Sequence, residues 1–273
     1  MSLFTADIPV DPKGYEWINS GGYGPEDDQD HYEGSLELCW RSADELREQY
    51  RETSEVAFTN YYNPFVKEPA LFRIFANLEV EPNAILKFAN QYGDFATLWN
   101  MSEGVEYFLE DWRLAIDGMQ EAVQQADEFI AAEESRRKRS KNTKAVIELV
   151  NEILGEAEIF LTASQQNGGI GLRMHAMNLL SAMRLQLVDA ITEEKRYRKC
   201  EHCSKPFEVS PQVNRSDRMF CSDNCRVKAY YRRKQKAVTL REEGRSLREI
   251  AAEIGSDMQT LKSWLKDVDK KAK

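Results

Sequence analysis

The sequence predicts a mainly α protein: a helical N-terminal region with one small β-hairpin, then a cysteine-rich arm and a closing group of helices. Three observations carry this prediction. Apolar residues recur at helical spacing through most of the segments between residues 70 and 268. A hairpin turn signal, Asn167-Gly168, stands between two short apolar runs. Four of the 5 cysteines fall close together near the C-terminal end, in the part of the chain where the charge changes sign.

The chain has 273 residues, a length at which one core stops growing, so more than one domain is expected. Apolar residues make up 42% and charged residues 30%, which excludes wholesale disorder. There is no run of about 18 apolar residues. The N-terminus, MSLFTADIPVDPKGYEW, is acidic and lacks the apolar stretch of a signal peptide. The expectation is a cytoplasmic protein with no membrane partner. The net charge of −9 is a sum of opposites. Residues 195–273 hold 21 basic and 11 acidic side chains (+10), and residues 1–194 hold 16 and 35 (−19). Charge keeps the first part away from nucleic acid and allows the second to approach it.

In chain order, residues 1–35 are rich in Gly, Asp, Glu and Pro and read as an irregular acidic arm. The helical domain proper is expected over 36–194. LELCWRSADELREQYRE, within Ser35–Ala57, reads as its first helix, and Asn63–Pro69 as a turn punctuated by Pro64 and Pro69. Short helices are expected at Ala70–Leu78 and Pro82–Tyr92, the second with Pro82 in its first turn and Gly93 as its stop. Val105, Phe108, Leu109, Trp112, Ile116 and Met119 form the stripe of a long helix, Ser102–Glu134. The basic run Arg136, Arg137, Lys138, Arg139, Lys141, Lys144 reads as a solvated helix C-terminus. A helix at Ala145–Ala157, strands at Glu158–Ala163 and Ile170–His175, and a helix at Asn178–Glu193 complete the domain.

The cysteines are spaced Cys200-Glu-His-Cys203 and Cys221-Ser-Asp-Asn-Cys225. Two such pairs supply four thiolates, the number that closes a tetrahedral zinc shell and leaves no position for a reactive water. One structural Zn²⁺ is therefore expected. Ser222 is a suitable N-cap, placing Cys225 at the third helical residue. His202 lies between two ligands and reads as facing solvent. Phe207–Ser210 and Arg218–Phe220 suit a small hairpin. Knuckle, hairpin and helix together describe a treble-clef finger over 195–236.

The stretch YRKCEHCSKPFEVSPQVNRSDRMFCSDNCRVKAYYRRK resembles the treble-clef fingers of a set of uncharacterised bacterial proteins related to the CGNR-type fingers of transcription regulators. LLSAMRLQLVDAITEEKRYRKC, the Asn167-Gly168-Gly169 turn and NPFVKEPALFRIFANLEVEPNAILKFANQYG are similar to the helical N-terminal regions of such proteins. The name-giving fingers carry Gly-Asn after the last cysteine, whereas Arg226 and Val227 follow Cys225 here. The resemblance implies a zinc finger in a regulator.

Between Ser222 and Glu243 there is neither Gly nor Pro, which predicts one helix of about 33 Å. Val227, Tyr231 and Val238 form its apolar strip. Arg226, Lys228, Arg232, Arg233, Lys234 and Lys236 give it a phosphate-binding character, and 195–236 carries +9. Residues 237–273 read as a helix-turn-helix similar to those of resolvase and homeodomain-like proteins, with Ser256 where these commonly have an apolar residue. Gly244 and Gly255 permit its turns, and Ser246 and Asp257 cap its helices. Leu261, Trp264, Leu265 and Val268 form the inner face of the last helix. Met258, Gln259, Lys262, Ser263 and Lys266 face out, where a recognition helix carries its reading residues. Gln259 suits adenine, and Lys262 guanine or phosphate.

The function expected is a zinc-dependent DNA-binding transcription regulator with an acidic helical sensor or partner domain. The alternatives are an adaptor that docks its basic arm on acidic proteins, or an RNA-binding protein; self-association is compatible with all three. Only His31, His175 and His202 are available as histidine bases, and no carboxylate spacing suggests a catalytic centre, so no enzyme is expected.

Overall fold

The structure, a computed structural model, describes residues 4–6, 8–11, 13–21, 33–40, 61–95, 107–133, 139–166, 169–210 and 217–271. The chain is mainly α and divides into two compact units, Met1–Arg196 and Tyr197–Lys273.

The first unit opens with strands β1 (Phe4–Ala6), β2 (Ile8–Pro9), β3 (Tyr15–Gly21) and β4 (Glu33–Trp40). This corrects two expectations. Residues 1–35 are not an irregular arm throughout, because Ala6, Ile8 and Tyr15 are buried. Residues 35–40 are a strand and not the start of a helix; the rest of the predicted helix, 41–57, lies outside the described residues. The period in SLELCW is two, with Leu38 buried opposite Trp17 and Leu36 opposite Asn19. A short β6 (Tyr107–Phe108) extends this sheet in the order β3-β4-β6. β2 pairs with β5 (Tyr61–Tyr62).

The predicted turn Asn63–Pro69 contains a four-residue helix, α1 (Pro64–Lys67), because the Asn63 side chain accepts from the Phe65 N–H at 3.0 Å and caps it. Then come α2 (Leu71–Ala76) and α3 (Pro82–Tyr92). Gly93 ends α3 with φ 92°, and a Cβ there would lie 2.9 Å from the Pro9 carbonyl oxygen, so glycine is required twice over. The long helix α4 (Leu109–Glu133) begins later than predicted, β6 occupying 107–108. α5 (Arg139–Gly155) begins earlier than predicted. Arg139, Lys141 and Lys144 therefore stand at the start of a helix and not at the end of one, and Lys144 meets Glu148 at 3.6 Å; residues 136–138 lie outside the described residues.

β7 (Ile159–Gln166) and β8 (Gly169–Ala176) form the predicted hairpin, longer than expected. Its Asn167-Gly168 turn lies outside the described residues. β8 also pairs with β1 in parallel. α6 (Leu179–Thr192) is capped by Asn178, whose side chain accepts from the Ser181 N–H at 2.7 Å. It is buried on most sides, which identifies the centre of the unit. Gln186 on α6 is 3% exposed and fully engaged: its side-chain amide donates to the Pro64 and Glu68 carbonyls at 3.1 and 3.0 Å and accepts from the Phe72 N–H at 3.2 Å. Phe75, Phe88, Phe95 and Trp112 form an aromatic cluster beside it, with the Phe95 and Trp112 rings stacked at 4.2 Å.

Candidate metal centre and basic helical face

The second unit begins with a tight knuckle. β9 (Tyr197–Lys199) and β10 (Pro206–Glu208) pair antiparallel, Lys199 facing Pro206. Between them the Cys200 N–H donates to the Lys205 carbonyl at 2.9 Å and the Ser204 N–H to the Cys200 carbonyl at 2.8 Å. This corrects the predicted hairpin. Phe207 and Glu208 pair with residues ahead of the first cysteine, and Arg218–Phe220 is irregular. The short loop Cys200–Lys205 closes a strand pair locally, while a partner beyond residue 217 requires a longer loop to be ordered first. Residues 211–216 lie outside the described residues.

The segment with the second cysteine pair is fixed by backbone groups. The Glu201 N–H donates to the Met219 carbonyl at 3.1 Å. Arg218 lies over the Phe207 ring, its guanidinium 5.6 Å from the centroid, and donates to the Phe220 and Cys221 carbonyls at 2.8 and 2.6 Å. Ser222 caps α7 (Asp223–Glu242) by accepting from the Cys225 N–H at 3.2 Å, so Cys225 is the third helical residue, as the sequence indicates.

These elements gather Cys200, Cys203, Cys221 and Cys225, whose sulfur atoms all lie within 4.8 Å of one another, close enough to bind one metal ion. The Cys203–Cys221 and Cys221–Cys225 sulfurs are 3.6 and 3.5 Å apart. Cys200 is buried with Phe207 and Val209, Cys221 and Cys225 are half-buried, and Cys203 is exposed. Burial works against the Cys200 thiolate, but backbone N–H groups of Cys203, Cys221 and His202 outweigh it and hold its pKa at about 6. Burial and the neighbouring sulfurs push Cys221 up to about 12. Four thiolates so close repel one another, and a cation among them removes that penalty. His202 is half-buried, with a buried Nδ1 that has no hydrogen-bond partner, and it is not one of the four clustered ligands.

α7 continues without interruption into a group of three helices with α8 (Leu247–Ile254) and α9 (Met258–Lys271). Their core is Ala237, Leu240, Ile250, Leu261, Trp264 and Leu265. A capping box of Ser246 and Glu249 starts α8, and Gly255 ends it at φ 63°, ψ 39°. Asp257 starts α9 by accepting from the Gln259 and Thr260 N–H groups, both at 2.9 Å. Leu261, Trp264 and Leu265 are buried as expected, and the Val268 side chain lies outside the described residues. Met258, Gln259, Lys262, Ser263 and Lys266 are exposed.

The predicted strip of α7 is corrected. Val227 and Tyr231 are 45% and 58% exposed, and of the three only Val238 packs on the core. The buried face is instead Ala229, Ala237 and Leu240, because α8 and α9 dock where α7 presents small residues. Tyr230 accepts a hydrogen bond from the Trp264 indole at 2.8 Å. Arg226, Lys228, Arg232, Arg233 and Lys236 are all exposed, but two of them are paired. Arg226 meets Asp223 at 3.2 Å, and Lys236 meets Glu253 at 2.9 Å.

Among the described residues no helix is long and apolar enough to cross a membrane. No protein-family model, curated protein or solved structure matches the chain.

Proposed function

We propose that this chain is a zinc-dependent DNA-binding protein, a transcription regulator whose acidic helical unit receives the signal. The observation that carries the reading is the continuity of α7, which has the cysteine cluster at its first turn and the three-helix core at its last. Sulfur separations of 3.5 and 3.6 Å suit a zinc tetrahedron, whose edge is about 3.8 Å for Zn–S bonds of about 2.3 Å. A shell of four thiolates is closed, so the zinc is structural. It fixes the direction of α7, and α7 carries the helix-turn-helix of α8 and α9. Lys228, Arg232 and Arg233 contact phosphates. Gln259 and Lys262, in the first turns of α9, reach base edges, flanked by Met258, Ser263 and Lys266.

Residues 237–273 net only +1, so α7 has to supply most of the affinity. Titration of the zinc-loaded chain with duplex DNA, single strands and RNA across a salt series tests this. Duplex binding that weakens linearly in log salt is expected. The ion pairs of Arg226 and Lys236 reduce the charge available to any acidic partner, phosphate or protein; the second reading is an adaptor that docks on acidic proteins. Loss of duplex binding even at low salt, with the metal retained, selects that reading, and preference for RNA selects an RNA-binding role.

A further inference from the structure

We propose that the cleft between α4, α5 and α6 binds a bulky, apolar organic cation. The cleft holds about 480 Å³, within the range of small-molecule sites. Its inner wall is Met119, Ile153 and Leu187, all buried in the unit. Gly118 lines it from the interior of the 25-residue helix α4. Glycine weakens a helix interior, and nothing lies within 4 Å of the position a Cβ would take here. Steric exclusion by the protein therefore does not account for the glycine. What it does is leave open a volume that any side chain would enter.

The charge in the cleft sets the class of ligand. Glu121, Glu152 and Glu156 stand at it with one cation, Arg184. Arg184 is already engaged, donating to the Glu156 carbonyl at 2.7 Å and to the Glu156 carboxylate. Among the described residues Glu121 accepts only from the neutral Gln125 amide at 3.3 Å, and no ion pair reaches Glu152. Two carboxylates thus remain uncompensated beside an apolar wall. An anion is repelled. An inorganic cation leaves the apolar volume unfilled. A hydrophobic body with a dispersed positive charge satisfies both, by burial against the apolar wall and by attraction to the exposed carboxylates at its rim.

Calorimetry on the free protein reads this binding in the absence of DNA. The probes are tetraphenylphosphonium and tetraphenylborate, which share a shape and differ in charge. The full chain is expected to bind one phosphonium and to bind borate at least tenfold more weakly. Gly118→Leu fills the cleft and should weaken phosphonium binding at least tenfold with no fall in melting temperature. Glu121→Gln with Glu152→Gln should weaken phosphonium and narrow its preference over borate, which keeps the test decisive if the leucine variant misfolds. Equal affinity for the two ions, phosphonium affinity unchanged in either variant, or no phosphonium binding at millimolar concentration would overturn the proposal.

Discussion

Removing the Trp264 indole should melt the three-helix core while leaving the N-terminal unit folded. Trp264 is 8% exposed. Its ring meets Tyr230 edge-on at 5.2 Å and 88°, and its N–H donates to the Tyr230 hydroxyl at 2.8 Å. Tryptophan-to-alanine changes in cores cost about 3–5 kcal/mol, and the lost hydrogen bond adds about 1 kcal/mol. A core of six buried residues in so small a module rarely supplies more than about 3–5 kcal/mol. The loss therefore matches or exceeds the stability available. Tyr230→Phe is the graded control. It removes only the acceptor, at a site where Tyr230 is 41% exposed and water can replace it, so about 0.5–1.5 kcal/mol is lost and the fold survives. Hydrogen exchange on the whole zinc-loaded chain reads both changes. Peptides from α8 and α9 should exchange without protection in Trp264→Ala and roughly 2- to 10-fold faster than wild type in Tyr230→Phe, with α6 peptides unchanged in both. Wild-type protection of α8 and α9 in Trp264→Ala would refute the assignment of this core.

Four further outcomes are expected. Cys203→Ser should lower metal from one zinc per chain to well below one by elemental analysis and expose residues 197–225 to proteolysis. Arg232→Ala with Arg233→Ala should weaken every duplex alike and reduce the slope of log affinity against log salt by about 1–2 units, since each phosphate contact contributes about 0.9. Gln259→Ala should relax selection at one or two base pairs in a randomised-site experiment with the salt slope unchanged, because one bidentate pair discriminates by about 1–3 kcal/mol. The last concerns acid. Hydrogen bonds from the Thr260 side chain and then the Thr260 N–H hold the Asp257 carboxyl below its usual range, and those from Ser246 do the same for Glu249. A depressed carboxyl stabilises the fold fully above its unfolded pKa of about 4 and loses that contribution as pH falls through the folded value. Protection at the starts of α8 and α9 should fade below about pH 4, and Asp257→Asn with Glu249→Gln should flatten that loss; an unchanged acid profile in the double variant would show that other groups cause it.

The elements legible in the sequence are those whose period and end chemistry agree. Pro82 and Gly93 bracket α3, Asn178 caps α6, and Ser246, Gly255 and Asp257 frame α8 and α9, each through bonds made within a few residues. The cysteine pairs are legible for the same reason: their spacing is local and their chemistry narrow. The strands were harder because their partners are remote. β1 pairs with β8, joining Phe4 to Met174, and nothing near Phe4 announces it. SLELCW has only six residues in which to show a period of two, and a helix-like composition follows it. Gln186 was missed because a polar residue within an apolar run reads as surface, and only the fold supplies the two carbonyls and one amide that satisfy it. The cleft left a single mark, a glycine inside a long helical stripe.

α7 shows why charge read from sequence overstates a binding face. Counting alone credits Arg226, Lys228, Arg232, Arg233 and Lys236 equally. Packing does not, because α8 brings Glu253 to Lys236 at 2.9 Å and to Arg245 at 3.5 Å. Glu253 is itself held ionised, first by its hydrogen bond from Lys236 and then by the two cations together. Surface pairs of this kind contribute little stability, about 0–1 kcal/mol, and their larger effect is on what remains free. With Arg226 turned to Asp223 and Lys236 to Glu253, the charge of α7 outside these ion pairs concentrates in its middle, at Lys228, Arg232, Arg233 and Lys234. The two ends of α7 are the cysteine cluster at Cys225 and the core around Trp264. On the DNA-binding proposal, a module of net charge +1 would depend on α7 for attraction, and the first turns of α9 would need to supply only the selection.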